Sequence, residues 1–158
     1  MKGLMQNQPL LLSSLLKHAD RFHAGTEIVS RTVEGPIHRY GYADALKRAK
    51  QAAKALLDLG VKPGDRVATL AWSTFRHFEL YYAVAGIGAI LHTINPRLSD
   101  DQIVWVANHA EDAFLFFDGA ADVCDVVANR MIVEEVDSAF AHASSETAPT
   151  VFDALPSG

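Results

Sequence analysis

Short apolar runs alternate with amphipathic stretches between residues 66 and 118, and this alternation restricts the fold more than any other feature. The runs 66–72, 89–94 and 112–118 are apolar on most residues, which is typical of strands covered on both faces. The two stretches between them carry apolar residues at helical spacing. Short connections and right-handed crossovers then predict an α/β fold, a parallel β-α-β-α-β sheet with helices packed against it.

The leucine-rich run near the N-terminus predicts an amphipathic helix. Leu11, Leu15 and His18 or Ala19 fall at helical spacing, which favours a single apolar stripe. A signal-peptide core is the alternative, but no small-residue cleavage site follows the run. The most apolar window, 80–91, is shorter than the ~18 residues that spanning a bilayer needs. We therefore expect a cytoplasmic protein with no transmembrane segment.

Two more elements precede the alternating region. Residues 27–33 and 37–42 flank a Gly-Pro pair and predict a β-hairpin. Residues 43–59 have an apolar face opposite a lysine-rich face, which predicts an amphipathic helix. Gly60 is placed to end that helix, because the residue after a helix commonly needs a left-handed backbone.

Gly86 and Gly88 look like part of a dinucleotide-binding fingerprint but stand at the opposite end of a helix. In that fingerprint the glycines follow a strand and open a helix, whose free N–H groups bind phosphate. Here they close the predicted helix 75–87, so carbonyls and partial negative charge would face a ligand. The third glycine is also missing, since Leu91 takes its place. We expect helix capping and close packing at both glycines.

No local pattern predicts a complete catalytic or metal site. The seven histidines form no H-x-H or H-E-x-x-H motif, although a site assembled from distant histidines stays open. Cys124 is the single cysteine, which excludes an intrachain disulfide and a thiolate zinc site. Asp100 and Asp101 fit the first turn of a helix with a capping box formed by Ser99 and Gln102. Chelation of Mg²⁺ is the alternative for these two acids.

The segment after the first of the three strands combines a cap with aromatic residues. Ser73 or Thr74 is predicted to cap the helix that follows. The spacing of the aromatic residues in this segment predicts that they belong to the core, with a lipid pocket as the alternative. These residues are Trp72, Phe75, Tyr81 and Tyr82.

Charge divides the chain into two parts. Residues 1–118 hold 13 Lys and Arg against 12 Asp and Glu, whereas residues 119–158 hold one against seven. The formal net charge of −5, with no basic run of five or more, gives no reason to expect a nucleic-acid partner. We expect a main domain over 1–118 and an acidic divergent tail over 119–158. Within that tail, the composition of 138–150 is typical of a flexible linker.

Four stretches carry a resemblance to a known family. They are YGYADAL (40–46), GDRVATLAW (64–72), RHFELYYAV (76–84) and HTINPRL (92–98). Together with the residues between them, they resemble the N-terminal region of the AMP-forming acyl-CoA synthetases. The likeness is closest to the medium- and long-chain fatty acid–CoA ligases of the adenylate-forming superfamily, and it spans about half of the chain. It implies a helix and then a strand after residue 118, which we assign to 120–130 and 131–133.

This resemblance implies a ligase of fatty acid metabolism. A fatty carboxylate attacks the α-phosphate of ATP to give an acyl-adenylate and diphosphate, and the thiol of coenzyme A then displaces AMP. The full-length family enzyme uses ATP, Mg²⁺ and CoA, because anions must be brought together in the first step. The family's phosphate loop, adenine motif, ribose-binding Asp and C-terminal lysine have no counterpart in this sequence. We therefore carry over no catalytic, cofactor-binding or metal residue, and we expect the 158-residue chain alone to be inactive and without a cofactor.

The loop of Asn95, Pro96 and Arg97 is the nearest candidate for a site. It follows the C-terminal end of a predicted strand, the side on which parallel α/β sheets present ligand sites. We assign it to the substrate side of the fold, with a plain structural turn as the alternative.

Three interpretations of the whole chain stay open. The first is the N-terminal portion of a fatty acid–CoA ligase that takes a fatty acid substrate and forms a homodimer, in which the leucine-rich helix could take part. The second is a non-catalytic α/β module that binds a protein partner or complements a separately encoded remainder. The third is a decayed reading frame. In the last two, we expect the strand at 112–118 to be an unpaired edge that favours aggregation.

Overall fold

A computed structural model describes residues 3–4, 9–118 and 130–132 of the chain. Within these residues the helices are α1 (Leu12–His23), α2 (Tyr42–Asp58), α3 (Phe75–Gly86) and α4 (Asp100–Ala110). The strands are β1 (Glu27–Arg31), β2 (Ile37–Gly41), β3 (Arg66–Leu70), β4 (Ile90–Thr93), β5 (Phe114–Phe117) and β6 (Arg130–Ile132). The predicted hairpin is present as the antiparallel pair β1–β2. The predicted α/β class with a parallel sheet is confirmed.

Strands β3 to β6 form one parallel sheet in the order β4-β3-β5-β6. In the middle of the sheet, Val67 of β3 lies between Leu91 of β4 and Phe114 of β5. The expectation that the strand at 112–118 is an unpaired edge is wrong, because residues 130–132 add a parallel strand beside it. The predicted strand at 131–133 is therefore present, one residue earlier.

Two apolar clusters hold the helices on opposite faces of this sheet. Successive residues of a strand point to opposite faces, so neighbours in β5 enter different clusters. Phe116 packs with Val67 and with the apolar sides of α2 and α3. Leu115 packs on the other face with Ile103 and Ala107 of α4. The result is a three-layer arrangement in which the sheet is covered on both sides.

Helix-ending glycines have the role predicted for them. Gly88 follows α3 with φ of 76°, a left-handed conformation that suits glycine. Its carbonyl accepts the N–H of Gly64 at 2.9 Å, which ties the end of α3 to the turn before β3. Gly60 follows α2 with φ of 91° and ends that helix as predicted. No phosphate loop forms at Gly86 and Gly88, since α3 ends there.

The face that α1 buries differs from the predicted one. The expected stripe was Leu11, Leu15 and His18 or Ala19. Leu15 is 58% exposed and His18 is exposed as well, whereas Leu11 and Ala19 are half-buried. Ser13 and Leu16 are the buried residues of this helix. The reason is tertiary, because α1 packs against α2 and α3 through the neighbouring side of the helix.

The remaining helix predictions concern α4 and the region after β5. In the predicted capping box of α4, Gln102 Oε1 accepts the Ser99 N–H at 3.2 Å. The helix predicted over 120–130 lies outside the described residues except for Arg130, which begins β6, and the predicted linker 138–150 lies outside them entirely. Among the described residues, no helix combines the length and the apolar character needed to cross a membrane.

Candidate functional site

Loops at the carboxyl edge of the parallel sheet surround a cleft of about 700 Å³. Residues 71–74 follow β3, the loop of Asn95, Pro96 and Arg97 follows β4, and residues 31–33 come from the β1–β2 hairpin. The carboxyl edge is where α/β sheets place their ligand sites. The loop selected from the sequence therefore lines a cleft at the predicted edge of the sheet.

The loop after β4 is held by its own asparagine. Asn95 Oδ1 accepts the N–H of Arg97 at 3.0 Å, and the Asn95 carbonyl accepts the N–H of Leu98 at 3.2 Å. Such an Asx turn fixes the backbone of a loop without help from other elements. The guanidinium carbon of Arg97 lies 5.8 Å from the ring centroid of Trp72, within cation–π range. An exposed cation and an exposed indole therefore meet in the cleft.

Two of the aromatic residues predicted for the core are exposed. Trp72 is 49% exposed and Tyr81 is 40% exposed, whereas Phe75 is buried and Tyr82 is half-buried. The core prediction is thus right for Phe75 and wrong for Trp72 and Tyr81. Strand β3 ends at Leu70, so Trp72 already lies in the loop that leaves the sheet.

A second cavity of about 440 Å³ adjoins the cleft. It shares Ser73 and Thr74 with the cleft, because both residues line the two cavities. The other lining residues are His77, Phe78, Tyr81, Tyr82 and Thr93. An aromatic cavity of this size is within the range of small-molecule sites. The candidate site therefore joins a polar cleft to an aromatic cavity.

A polar network lies where β3 and β5 end. His77 Nε2 is 3.0 Å from Thr69 Oγ1, and Asp118 Oδ2 accepts the N–H of Trp72 at 2.8 Å. In the strand order β4-β3-β5-β6, the strand that follows β3 in the chain lies at one edge of the sheet, and the strand that follows β5 lies at the opposite edge. This divergence defines a topological switch point, the usual position of ligand sites in open α/β sheets.

Burial shifts the pKa values of both titratable groups in this network. It lowers the pKa of His77 below 6.5, against the opposing effects of the Asp118 carboxylate and the Trp72 backbone. It raises the pKa of Asp118 above 3.8, against the Trp72 N–H and the positive charge of Arg76. Burial therefore favours the neutral form of the His77 imidazole. Sequence analysis assigned neither group to a site, because only the topology of the sheet brings them together.

Three contacts attach the hairpin wall of the cleft to the start of α3. Ser30 Oγ accepts the N–H of Phe75 at 2.9 Å. Arg76 Nη1 lies 3.0 Å from Glu34 Oε1. The His38 ring stacks on the Phe75 ring with 3.9 Å between centroids. The position of residues 31–33 thus depends on α3.

The cap of α3 comes from Ser30 and not from Ser73 or Thr74 as predicted. Thr74 occupies the N-cap position but makes no capping hydrogen bond through its side chain. Its Oγ1 is buried and has no hydrogen-bond partner within the described part of the chain. Ser30 stands 45 residues before Phe75, so a local pattern could not reveal this cap.

The residues described here do not fit ATP-bound Mg²⁺ or a phosphate cradle. Within 3–4, 9–118 and 130–132, no three His, Cys, Asp or Glu side chains are grouped to hold a metal ion. Asp100 and Asp101 are exposed acids in the first turn of α4, which is the role that the sequence predicts for them. The ten residues that line the cleft include two charged ones, Arg31 and Arg97. We therefore derive no catalytic step from this part of the chain.

Comparison of the sequence with known protein families gives a match. The sequence profile described as "AMP-binding enzyme" matches residues 15–157. Because this match spans most of the chain, the protein belongs to the AMP-binding enzyme family.

Three curated relatives carry the comparison further. The chain is 49% identical over 118 residues to the 3-methylmercaptopropionyl-CoA ligase of Ruegeria lacuscaerulensis, covering 75% of this chain and 22% of that protein. It is 45% identical over 118 residues to the medium-chain-fatty-acid–CoA ligase of Ectopseudomonas oleovorans, with the same coverage. It is 47% identical over 114 residues to the long-chain-fatty-acid–CoA ligase of Thermus thermophilus, covering 72% and 21%. The chain thus spans about a fifth of the length of these acyl-CoA ligases.

Solved structures show the same fold. A fatty acyl-CoA synthetase of Mycobacterium tuberculosis superposes with a TM-score of 0.77 at 20% identity, covering 87% of this chain and 29% of that one. The N-terminal domain of FACL13 from the same organism gives a TM-score of 0.76 at 20% identity, with coverage of 87% and 37%. The fold is therefore that of a part of the N-terminal domain of these two proteins.

Proposed function

We propose that this chain is the N-terminal portion of an AMP-forming fatty acid–CoA ligase. The whole enzyme would convert ATP, a fatty acid and CoA into acyl-CoA, AMP and diphosphate. The observation that carries this proposal is 45–49% identity, over 114 to 118 residues, to three acyl-CoA ligases. The four family-like stretches between residues 40 and 98 support it, and three of them contribute residues to the cleft or to the cavity beside it.

The substrate class follows from the names of the relatives. Two of them are ligases of medium-chain and long-chain fatty acids, so we assign a fatty acid substrate. A second candidate is 3-methylmercaptopropionate, because the ligase named for its CoA ester is 49% identical to this chain. The two candidates differ in the length of the apolar chain, which a panel of acids distinguishes.

In this proposal Asn95, Pro96 and Arg97 form the substrate side of the cleft. A fatty acid, ATP and CoA all carry negative charge at neutral pH, whereas the charged residues that line the cleft are Arg31 and Arg97. An exposed guanidinium raises the local concentration of an anion before it is bound. The Asx turn of Asn95 keeps Arg97 at the mouth of the cleft for that role.

The cofactors and cellular setting belong to the whole enzyme. ATP, Mg²⁺ and CoA would be used by it, with the groups that bind them supplied by family motifs that have no counterpart in these 158 residues. We place the enzyme in the cytoplasm, in keeping with the single cysteine of these 158 residues. No nucleic-acid partner is part of the proposal. The proposal does include a homodimer, which light scattering of the purified native product tests.

The test begins with the native product in the source cells. An antibody against residues 64–118 isolates it, and a denaturing gel with mass spectrometry gives its size. We expect a band well above the 17.2 kDa of this chain. The isolated product should exchange diphosphate into ATP in the presence of octanoate, palmitate or 3-methylmercaptopropionate. Absence of exchange with every acid in the panel would contradict the proposal. The 158-residue chain alone is the matched control and should give no exchange.

A non-catalytic module is the second candidate function. A band near 17.2 kDa without exchange activity would support it. Such a module would bind a protein partner or complement a separately encoded remainder. Exchange activity that appears when a second purified chain is added would identify the latter.

A further inference from the structure

Strand β4 leads into the loop of Asn95, Pro96 and Arg97 but lies at an edge of the sheet. Among the strands that the structure describes, β4 is paired with β3 alone. Its end is bonded to β3 through the Ile94 N–H, which donates to the Thr69 carbonyl at 2.8 Å. An edge strand leaves one row of N–H and C=O groups without a neighbouring strand. Side-chain contacts therefore matter more for holding the end of β4 in place.

A largely buried hydrogen-bonded pair joins β4 to the residues just before β5. His92 Nδ1 lies 2.9 Å from Asp112 Oδ2 and 3.0 Å from Asp112 Oδ1. The Asp112 side chain is fully buried, and that of His92 is 25% exposed. Since β3 lies between β4 and β5, the pair spans an intervening strand. Ala68 of β3 stands beside His92 in the register, and its methyl side chain leaves room for the imidazole to cross.

His92 is the hydrogen-bond donor of this pair. An ionised carboxylate only accepts hydrogen bonds, so Nδ1 carries the hydrogen and donates it. Burial raises the pKa of Asp112, against the hydrogen bond and charge of His92 and the charge of Arg66. Arg66 is itself bonded to Glu111, with 3.0 Å between Nη2 and Oε2, in a more exposed pair. Without His92, the Asp112 carboxylate would be buried with no side-chain donor from the described residues.

The pair acts on the part of β4 that precedes the loop. Successive residues of a strand point to opposite faces of the sheet. Leu91 packs against the cluster that faces α2 and α3, whereas Ile94 belongs to the cluster that faces α4. His92 is therefore on the α4 side together with Ile94. These two side chains anchor the last residues before Asn95.

The shape of the loop and its place have different causes. The Asx turn of Asn95 fixes the shape, through the hydrogen bond that its side chain accepts from the Arg97 N–H. The place depends on where β4 ends, and it sets the 5.8 Å between the Arg97 guanidinium carbon and the ring centroid of Trp72. A shift of the end of β4 would carry the intact turn away from Trp72.

We propose that His92 and Asp112 are positioning residues that hold the loop of Asn95, Pro96 and Arg97 at the mouth of the cleft. The pair fixes the edge strand across β3, and the strand in turn fixes the loop. This inference rests on the proposed function only in taking this loop as the substrate side. The position of the loop itself is measured without ATP or a fatty acid.

Quenching of Trp72 fluorescence by iodide tests the proposal. The chain has two tryptophans, so Trp105→Phe in every protein leaves Trp72 as the single emitter. The guanidinium of Arg97 raises the local concentration of an anion, whereas neutral acrylamide is unaffected by it. We expect the ratio of iodide to acrylamide quenching to be about twofold higher in the intact chain than in its Arg97→Gln variant.

Three variants of the pair separate positioning from stability. His92→Leu should lower the quenching ratio to that of Arg97→Gln. His92→Asn should recover at least about half of the difference, since its side-chain N–H occupies the place of Nδ1. His92→Leu with Asp112→Leu removes both polar groups, so stability in urea should return toward the parent while the ratio stays low. Arg66→Gln is the matched control, because it breaks the neighbouring pair with Glu111 and should leave the ratio unchanged.

Four results would overturn the proposal. They are equal ratios in the parent and Arg97→Gln, an unchanged ratio in His92→Leu, a ratio in His92→Asn as low as in His92→Leu, and an equal loss in Arg66→Gln. Recovery of the ratio together with stability in the double variant would likewise reduce the pair to a structural role. Absence of diphosphate exchange by the native product, with the expected quenching ratios, would contradict the proposed function and leave the positioning intact.

Discussion

Glu79 is a fully buried carboxylate whose ion pair joins two helices. Its Oε1 lies 2.7 Å from Nε of Arg48, so that α3 is bonded to α2 through opposite charges. Burial, followed by the negative charge of Glu79, raises the pKa of the neighbouring Tyr40 phenol. A charge in such a place is tolerated only while its partner stays, because desolvation of an unpaired carboxylate is costly.

We predict that Arg48→Met destabilises the chain by roughly 3–5 kcal/mol, because it leaves a buried negative charge without its guanidinium. Urea unfolding followed by circular dichroism measures the free energy. The control is Arg39→Met, which breaks the exposed pair of Arg39 with Glu27 and should cost less than ~1 kcal/mol. Equal losses in the two variants would contradict a special role for the buried pair.

His77 predicts how stability depends on pH. The pKa of His77 is lower in the folded chain than its ordinary value of 6.5. As the pH falls below 6.5, the unfolded chain therefore binds a proton at His77 more readily than the folded chain does. Stability should therefore fall as the pH drops from about 7.5 to about 5.5. Asp118 has the opposite effect at lower pH, since its raised pKa favours the folded state in acid and that gain is lost as the pH rises.

Urea midpoints across this pH range check the prediction. His77→Gln should flatten the decline, because the variant has no proton to bind at this position. Replacing the exposed His23 by Gln is the matched control and should leave the slope unchanged. A decline that survives in His77→Gln would show that another group causes it.

At the scale of elements, α3 depends on the hairpin for its first hydrogen bond. We predict that Ser30→Ala destabilises the chain by about 1 kcal/mol, the usual effect of losing a helix cap. The Phe75 amide should also exchange its hydrogen faster, since its acceptor is removed. Hydrogen exchange detected by NMR measures the second effect directly.

Two neighbours of Phe75 provide the controls. Ser73→Ala should change stability by less than ~0.5 kcal/mol, because the exposed Ser73 does not cap the helix. Thr74→Val should be neutral or stabilising, since the Thr74 hydroxyl is buried without a hydrogen-bond partner in the described residues. Destabilisation by Thr74→Val comparable to that of Ser30→Ala would mean that the local cap matters after all.

Some features of these elements follow from local sequence patterns, whereas others depend on contacts between distant residues. The helix predicted at 43–59 is found at Tyr42–Asp58, because its amphipathic pattern and its terminal glycine are both local signals. The strand predicted at 66–72 ends at Leu70, since pairing with β4 and β5 stops there and the apolar residues continue into the loop. The pair of Arg48 with Glu79 spans 31 residues, and no local pattern indicates it.

One part of the candidate site could likewise be predicted from the sequence, and the other part could not. The order of strands and helices places the loop at 95–97 on the carboxyl edge of the sheet, so the sequence could predict its location. Its neighbours in the cleft, Trp72 and the hairpin residues 31–33, depend on how β1 and β2 pack against α3. Packing of this kind is decided by contacts between distant residues, which periodicity and propensity do not record.

At the scale of the whole molecule, Phe116 connects the sheet to the larger apolar cluster. It is 1% exposed and lies in β5, which is paired on both of its edges. We predict that Phe116→Ala costs about 3–5 kcal/mol, a large part of the total stability of an ordinary domain. Calorimetry should show a much lower melting temperature. Phe22→Ala, which truncates an exposed ring, should melt within a few degrees of the parent, and similar losses in both would contradict the described core.

The hydrogen bond from the Phe75 N–H to Ser30 also sets an order of events during synthesis. Ser30 leaves the ribosome 45 residues before Phe75, so the hydroxyl that caps α3 is present before the first turn of that helix is made. Both strands of the hairpin also precede α3 in the chain, and they pair with each other alone. The residues of the hairpin wall therefore leave the ribosome before the strand β4 that carries the opposite loop of the cleft.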